Sequence, residues 1–125
     1  MVKLSKSEEQ LMEIIWERKT AFMKEIIESY PDPKPANTTI ATLLKRIREK
    51  KFIDFKLFGN SRQYFPLVKK EDYFSQHVNG LIRSFFGNSA LKFASFFTKE
   101  TNLSKKELEQ LKSIIDQEIE KKKKL

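Results

Sequence analysis

The sequence predicts a mainly α-helical protein of the α+β class, in which three short helices and a β-hairpin precede three further helices. Apolar residues recur at helical spacing in six segments, and two further segments alternate around the pair Gly59-Asn60. Ser-x-x-Glu spacings at Ser5 and Ser104 are typical of helix starts, because each side chain satisfies a backbone N–H of the other residue. At 125 residues the chain is long enough for a small domain with an appendage.

The first 35 residues predict two helices with a short strand between them. The first helix starts at Ser5, and its apolar stripe consists of Leu11, Ile14 and Ile15. Ala21 and Phe22 can add a brief strand to a sheet, and residues 23–29 form the second helix. Prolines at positions 31, 33 and 35 end that helix, since proline has no backbone N–H to donate.

A third helix is predicted to begin with Asn37 as its N-cap. Its buried face repeats at i, i+3, i+4 and i+7 as Ile40, Leu43, Leu44 and Ile47. The opposite face holds Thr38, Thr42, Lys45 and Glu49, flanked by Thr39, Arg46 and Arg48. Residues 52–58 and 62–67 then alternate as strands, and Gly59-Asn60 suits the tight turn because both residues tolerate a positive φ.

Three short helices followed by a hairpin is the order of a winged helix-turn-helix domain. In that arrangement the third helix enters the major groove of DNA and the hairpin, or wing, lies along the phosphates. Other small α+β modules share this order of elements, so a second, independent observation is needed.

The distribution of charge is that second observation. The chain has a net charge of +8, and residues 31–70 carry ten Lys or Arg against three Asp or Glu. Residues 1–30 and 71–125 are close to balanced. Positive charge concentrated around one helix and hairpin is typical of a nucleic-acid surface, whereas a merely solvated surface mixes both signs.

Residues 71–125 predict a helical dimerisation domain that follows a DNA-binding domain of residues 1–70. Six of the eleven Phe lie between positions 74 and 97, in a segment too small to bury them all alone. A two-fold partner would bury them, although helices folded back on the first domain of a monomer are the alternative. The predicted interface consists of Phe74, Val78, Leu81, Phe85, Leu91, Phe97, Leu108, Leu111 and Ile115.

The composition argues against enzymatic chemistry and against a membrane span. The chain has no Cys, so thiol catalysis and thiolate metal sites are excluded, and His77 is the only histidine. It also lacks a Gly-rich phosphate loop, a signal-like leader and an apolar run of about 20 residues. We therefore expect a cytoplasmic protein that is not an enzyme, uses no metal or cofactor, and does not insert into a membrane.

Three stretches resemble the penicillinase and methicillin-resistance repressors of the BlaI/MecI type, to which copper-responsive CopY-type repressors are related. They are "LSKSEEQLMEIIWERKTAFMKEII", "TTIATLLKRIREKKFIDFKLFGNSRQYFPLV" and "NLSKKELEQLKSII". The resemblance implies a homodimeric transcriptional repressor that binds a pseudo-palindromic operator in double-stranded DNA. The groove-facing residues that it implies are Thr38, Thr39, Thr42, Lys45 and Arg46, with Lys56, Arg62 and Tyr64 of the wing on the DNA backbone.

The sequence also departs from that family. The family often has Lys where this chain has Thr38 and Ala41, and the absence of Cys argues against copper sensing. Antibiotic-responsive members are inactivated when a membrane-bound sensor protease cleaves an Asn–Phe bond, which corresponds here to Phe96–Phe97. The Phe is retained and the Asn is not, so relief of repression by cleavage is a hypothesis for this chain.

Two other functions remain open at this point. A winged helix whose basic face meets an acidic protein would have the same fold without reading DNA, since fold does not fix function. An RNA-binding winged helix is the third interpretation, although aromatic residues for base stacking are not apparent on the basic face.

Overall fold

The computed structural model describes residues 2–124 and contains nine helices and strands in that range. The helices and strands are α1 (Lys6–Arg18), β1 (Ala21–Phe22), α2 (Met23–Ser29), α3 (Asn37–Glu49), β2 (Ile53–Phe58), β3 (Ser61–Pro66), α4 (Lys70–Phe85), α5 (Ala90–Glu100) and α6 (Lys105–Lys123). The predicted order of elements is confirmed. The chain forms two compact units that divide between His77 and Val78.

Helix α1 begins as its sequence predicts. The Ser5 hydroxyl accepts a hydrogen bond from the Glu8 backbone N–H, and the Glu8 carboxylate accepts one from the Ser5 N–H at 2.7 Å. The same carboxylate is buried, and Lys50, which follows α3, donates to it at 2.7 Å. Glu8 therefore caps α1 and also links it to the end of α3.

The start of α3 corrects the prediction for Asn37. Ala36 is the N-cap, with extended dihedral angles (φ −70°, ψ 150°), and no side chain accepts a hydrogen bond from the first turn. Asn37 is the first helical residue. The first turn of α3 therefore starts without the side-chain cap that the sequence predicts.

The three strands form one antiparallel sheet in the order β1-β3-β2. β2 and β3 make the wing and are joined by Gly59-Asn60, with Phe58 opposite Ser61. Only Gly59 of the two turn residues has a positive φ, of 63°. This is the pattern of a type II′ turn, which needs glycine at its first central position, so the turn uses the tolerance of Gly59 for a positive φ and not that of Asn60.

The core of the first unit also includes the beginning of α4. Tyr73 is fully buried, and its ring contacts those of Trp16 and Phe52. The Trp16 indole N–H donates to the Val68 carbonyl at 2.8 Å. The first unit therefore continues to His77, seven residues beyond the boundary that the sequence predicts.

Phe74 belongs to this core rather than to the predicted dimer interface. Its ring is partly buried and lies 5.1 Å from Tyr73 and 5.9 Å from Trp16, measured between ring centroids. Because this side chain already packs against the core of the first unit, we remove Phe74 from the interface.

The hydroxyl of Tyr73 gives a prediction about stability. It accepts a hydrogen bond from the Leu4 N–H at 2.9 Å and donates one to the Glu9 carboxylate at 2.7 Å. Tyr73→Phe leaves the buried Leu4 N–H without a partner. We therefore expect the free energy of unfolding, measured in urea, to fall by about 1–2 kcal/mol. Tyr30→Phe is the control, because the buried Tyr30 hydroxyl has no partner within residues 2–124 and its loss should cost almost nothing.

The same hydroxyl predicts a dependence on pH. Burial, together with the hydrogen bond to Glu9, raises the pKa of Tyr73 from 10.0 to about 12. A raised pKa in the folded state contributes stability that is fully present below pH 10.0 and is lost as the pH rises through about 12. Tyr73→Phe should therefore lose less stability than the wild type between these values. An equal loss in both proteins would contradict this assignment.

The second unit consists of the end of α4 together with α5 and α6. Ser89 caps α5, and Ser104 and Glu107 form the predicted capping box of α6. Phe86 contacts Phe93 and Phe96 at 5.4 and 5.3 Å. None of the residues from 78 to 124 is buried, so this unit has no enclosed core of its own.

Candidate nucleic-acid interface

The face of α3 opposite the core is exposed, and most of its side chains are threonines or are positively charged. Helical geometry places Thr38, Thr42, Lys45 and Glu49 directly opposite the buried stripe of α3. All five α3 residues predicted to face the groove, Thr38, Thr39, Thr42, Lys45 and Arg46, are exposed. This surface, with the five residues just named, is called the α3 face below.

The hydroxyl of Thr42 is partly committed to its own helix. It donates to the Thr38 carbonyl at 2.9 Å, which leaves its lone pairs free to accept a hydrogen bond. The Thr42 methyl group remains available for contact with a thymine methyl. Thr42 can therefore contribute to base discrimination as an acceptor and by apolar contact.

Lys45 and Arg46 supply the positive charge of the α3 face. In the part of the chain that the structure describes, neither side chain has a carboxylate oxygen within 4.0 Å. Lys50 differs, because its ammonium is paired with buried Glu8. The charges of Lys45 and Arg46 are thus available to a partner.

The wing presents its basic residues on opposite faces. Leu57 pairs with Arg62 and Lys56 pairs with Gln63, so the alternation of strands places Arg62 and Lys56 on different sides of the hairpin. The Lys56 ammonium lies 5.9 Å from the centre of the Phe65 ring. Arg62 lines the groove beside α3, and Lys56 does not.

Tyr64, the third wing residue predicted to contact DNA, is a core residue. It is 5% exposed, pairs with buried Ala21 of β1, and packs against Phe55 with 5.7 Å between ring centroids. Its position near the base of the wing explains the burial. We therefore remove Tyr64 from the proposed DNA contacts.

The structure adds Arg48 to the candidate interface. The sequence predicts this residue only at the flank of the α3 face. Its guanidinium carbon lies 4.5 Å from the centre of the Phe55 ring, and that of Arg62 lies 4.4 Å from the same ring. Arg48 and Arg62 line a groove of about 830 Å³ between α3 and the wing, together with Ala41 and Lys45. Lys45 and Arg48 are three residues apart, so they are neighbours on the surface of the helix. This spacing is the signal in the sequence that could have placed Arg48 at the interface.

Asp54 is the acidic partner in this groove. Its carboxylate accepts hydrogen bonds from the Phe55 N–H at 2.9 Å and from Arg48 Nε at 3.1 Å. The Phe55 N–H first, and then the Arg48 guanidinium, hold the pKa of Asp54 below its ordinary value of 3.8. Asp54 is therefore ionised at neutral pH and orients Arg48 by its Nε edge.

The remaining predicted interface residues lie in the second unit. Val78, Leu81, Phe85, Leu91, Phe97, Leu108 and Ile115 are exposed, and Leu111 is half-buried. Phe85 and Leu91 are the most open, with 77% and 81% of their surface exposed. Ile114 and Ile119 of α6 are also exposed and extend this apolar surface beyond the predicted set.

The Phe96–Phe97 bond lies inside α5. Phe96 packs on Phe86, and Phe97 stacks on Phe93 with 6.2 Å between ring centroids. Cleavage of this bond would require α5 to unwind locally, because proteases act on extended segments. Cleavage here stays a prediction.

Neither a metal-binding cluster nor a membrane-spanning helix is present in residues 2–124. No group of three or more His, Cys, Asp or Glu in this range is arranged to hold a metal ion. Within the same range, none of the helices combines the length and apolar character required to cross a membrane.

Comparison with known proteins identifies relatives over nearly the whole chain. The family model described as penicillinase repressor matches residues 4–117. The methicillin resistance regulatory protein MecI of Staphylococcus aureus (strain N315) is 31% identical over 114 residues, which cover 90% of this chain and 93% of MecI. The penicillinase repressor of S. aureus is 28% identical over 116 residues, covering 92% of each chain.

A solved structure matches a little over half of the chain. It is described as the solution structure of the DNA binding domain of the repressor BlaI, and it aligns with a TM-score of 0.51 and 25% identity. The match covers 57% of this chain and 88% of that one. The winged-helix fold predicted from the sequence is thereby confirmed.

Proposed function

The chain belongs to the penicillinase repressor family, and on this premise we propose that it is a homodimeric repressor that binds a two-fold symmetric operator in double-stranded DNA. The family is one of transcriptional repressors and not of enzymes. The observation that carries the proposal is the α3 face, on which Lys45 and Arg46, unpaired within residues 2–124, lie beside three exposed threonines. Such a repressor acts in the cytoplasm, where the bacterial chromosome lies.

Binding has two components in this proposal. The lysines and arginines neutralise phosphates and release counterions, which sets the affinity, while Thr42 and Arg46 contact base edges, which sets the specificity. If about eight phosphates are neutralised per dimer, log K plotted against log salt should have a slope near −7. A slope near zero would contradict this mechanism.

Dimerisation is supported by the second unit. Its eight remaining predicted interface residues are exposed or half-buried in one protomer, and none of the residues from 78 to 124 is buried. A second copy would cover this apolar surface and would present two α3 helices to successive major grooves, about 34 Å apart on one side of the DNA.

Arg46→Ala tests the α3 face. We expect affinity for a site that the protein itself selects from random duplex DNA to fall by at least tenfold, since each good base contact contributes about 1–3 kcal/mol of discrimination. Affinity for random duplex should fall much less. Fluorescence anisotropy with both DNAs, at the same salt concentration, measures the two losses.

Lys56→Ala is the comparison for Arg46→Ala. Lys56 is proposed to contact the DNA backbone, so its loss should weaken binding to both DNAs by a similar, smaller factor. If Arg46→Ala also weakened both DNAs equally, α3 would not be the helix that reads the bases.

We further propose that a membrane sensor protease relieves repression by cleaving the chain. The bond to examine is Phe96–Phe97 in α5, where the family's Asn is replaced by Phe96. Incubation with the activated cognate sensor, followed by mass spectrometry of the fragments, tests it. A chain that stayed intact would exclude this form of control without affecting the proposal of DNA binding.

A further inference from the structure

We propose that Arg48 and Arg62 together form one phosphate-binding site between α3 and the wing, and that Phe55 is the positioning residue that holds both guanidinium groups there. The inference rests on the proposed function, because the phosphate belongs to the backbone of duplex DNA. The three residues come from three different elements, α3, β2 and β3, so the site exists only when the wing is folded against the helix.

The geometry places both arginines on a single ring. The guanidinium carbons of Arg48 and Arg62 lie 4.5 and 4.4 Å from the centre of Phe55, within the range of a cation–π contact. Arg62 reaches the ring because Phe55 pairs with Tyr64, which makes Arg62 its diagonal neighbour on the same face of the hairpin. Phe55 itself packs against buried Tyr64, which fixes the ring.

The charges of this cluster favour an anion. Two positive groups converge on one ring, and Asp54 is the one carboxylate that pairs with either of them in the described chain. Asp54 accepts from Arg48 Nε, so the terminal amino groups of Arg48 remain free to donate. A phosphate suits two guanidinium groups, because its oxygens can accept short charge-assisted hydrogen bonds from both.

The position of the cluster favours the DNA backbone over a base. Arg46 and Arg48 both lie in the last turn of α3, but Arg48 is about 200° around the helix from Arg46, on the side that lines the groove beside the wing. Arg62 lies on the wing, the element that follows the phosphates in this fold. Both arginines therefore meet the DNA where the recognition helix leaves the groove.

Phe55→Leu tests the positioning role. Leucine keeps most of the apolar volume but has no π face, so we expect binding to selected and random duplex to weaken about tenfold, because two cation–π interactions are removed in each protomer. Phe55→Tyr retains the ring face and should restore wild-type binding. Phe58→Leu is the control. It should leave DNA binding unchanged, because Phe58 lies on the same strand as Phe55 but faces the other side of the wing.

Arg48→Ala, Arg62→Ala and the double variant test the shared phosphate. Because both side chains bind the same group, the double variant should weaken binding by less than the two single effects combined. The salt slope of the double variant should fall by about 2 per dimer, because each half-site then neutralises one phosphate fewer. Thermal unfolding of every variant confirms that the fold is retained.

Several outcomes would overturn the inference. A folded Phe55→Leu variant that bound both DNAs like the wild type would refute the role of Phe55. Fully additive losses of affinity from the two arginine substitutions would refute a single shared phosphate. Losses confined to the selected site, with binding to random duplex unchanged, would show that the arginines read bases. If the wild type bound duplex DNA but selected no site, the proposed function would fail, while the same variants on random duplex would still decide this inference.

Discussion

Ile115→Glu should convert the protein to a monomer and reduce its affinity for the operator at least a hundredfold. Ile115 lies on α6 and is 51% exposed in one protomer, so the glutamate is solvated in the monomer. In the dimer the same carboxylate would be buried among apolar side chains, which costs several kcal/mol for an unpaired charge. The DNA-binding residues are untouched, yet each half-site would have to be bound separately.

The control for Ile115→Glu is Gln117→Glu. Gln117 is exposed on α6 and lies about 200° around the helix from Ile115, so the same new charge is introduced away from the proposed interface. Sedimentation equilibrium should show a monomer for Ile115→Glu and a dimer for Gln117→Glu. A dimeric Ile115→Glu variant would show that α6 does not form the interface in the proposed way.

Glu8→Ala should lower the free energy of unfolding by about 3 kcal/mol, because it removes one partner of a buried ion pair and half of a capping box. The Glu8 side chain is 3% exposed and that of Lys50 is 32% exposed, so the lysine can partly regain water and the lower end of the usual range applies. Urea unfolding at one fixed protein concentration measures the change, since dimerisation also contributes to stability.

Two further substitutions separate the causes. Glu8→Gln can still close the capping box but cannot pair with the Lys50 charge, so it isolates the ion pair. Glu13→Gln removes an ion pair of similar length, 2.9 Å to Lys70, in which both side chains are 47% exposed. That exposed pair should contribute much less to stability than the Glu8 pair, because water screens it. Equal losses at Glu8 and Glu13 would show that burial does not strengthen the Glu8 pair.

The same carboxylate predicts the behaviour of the protein in acid. Burial alone would raise the pKa of Glu8, but the hydrogen bonds from Lys50 and Ser5 outweigh it and hold the pKa below 4.5. A lowered pKa in the folded state contributes stability above pH 4.5 that is lost as the pH falls through the folded value. Glu8→Gln should therefore lose less stability than the wild type on acidification below pH 4.5.

The features that the sequence predicted well depend on neighbouring residues. The capping boxes at Ser5 and Ser104 each involve residues three positions apart, and both are present in the structure. The α3 face was predictable for the same reason, since helical periodicity alone determines which side is opposite to Ile40, Leu44 and Ile47.

The features that the sequence missed depend on contacts between distant segments. Strand alternation shows that Tyr64 and Arg62 share a face of the wing, but it does not show where along the hairpin the core ends. Pairing with β1 buries Tyr64, while Arg62, nearer the turn, stays exposed. In the same way, Phe74 was assigned to the interface because its contact with Trp16, 58 positions earlier, has no local signal.

The cluster of Arg48, Phe55 and Arg62 shows the same limit at the candidate site. Its formation requires the two-residue turn at Gly59-Asn60, which sets the register that places Arg62 beside Phe55. A shift of the register by one residue would move Arg62 to the other face. Charge density along the chain therefore predicted a basic surface, but not which arginines act together.

Selection of bound sequences from a pool of random double-stranded DNA, with the purified wild-type protein at about 150 mM salt, is the most direct test of the central claim, because non-specific binding is already weak there. We expect a two-fold symmetric site whose half-sites are separated by one or more turns of the DNA helix. Such a site would establish a dimeric, sequence-specific DNA-binding protein. A pool that remained random, although the protein was folded, would contradict the claim and would favour a winged helix that binds another protein.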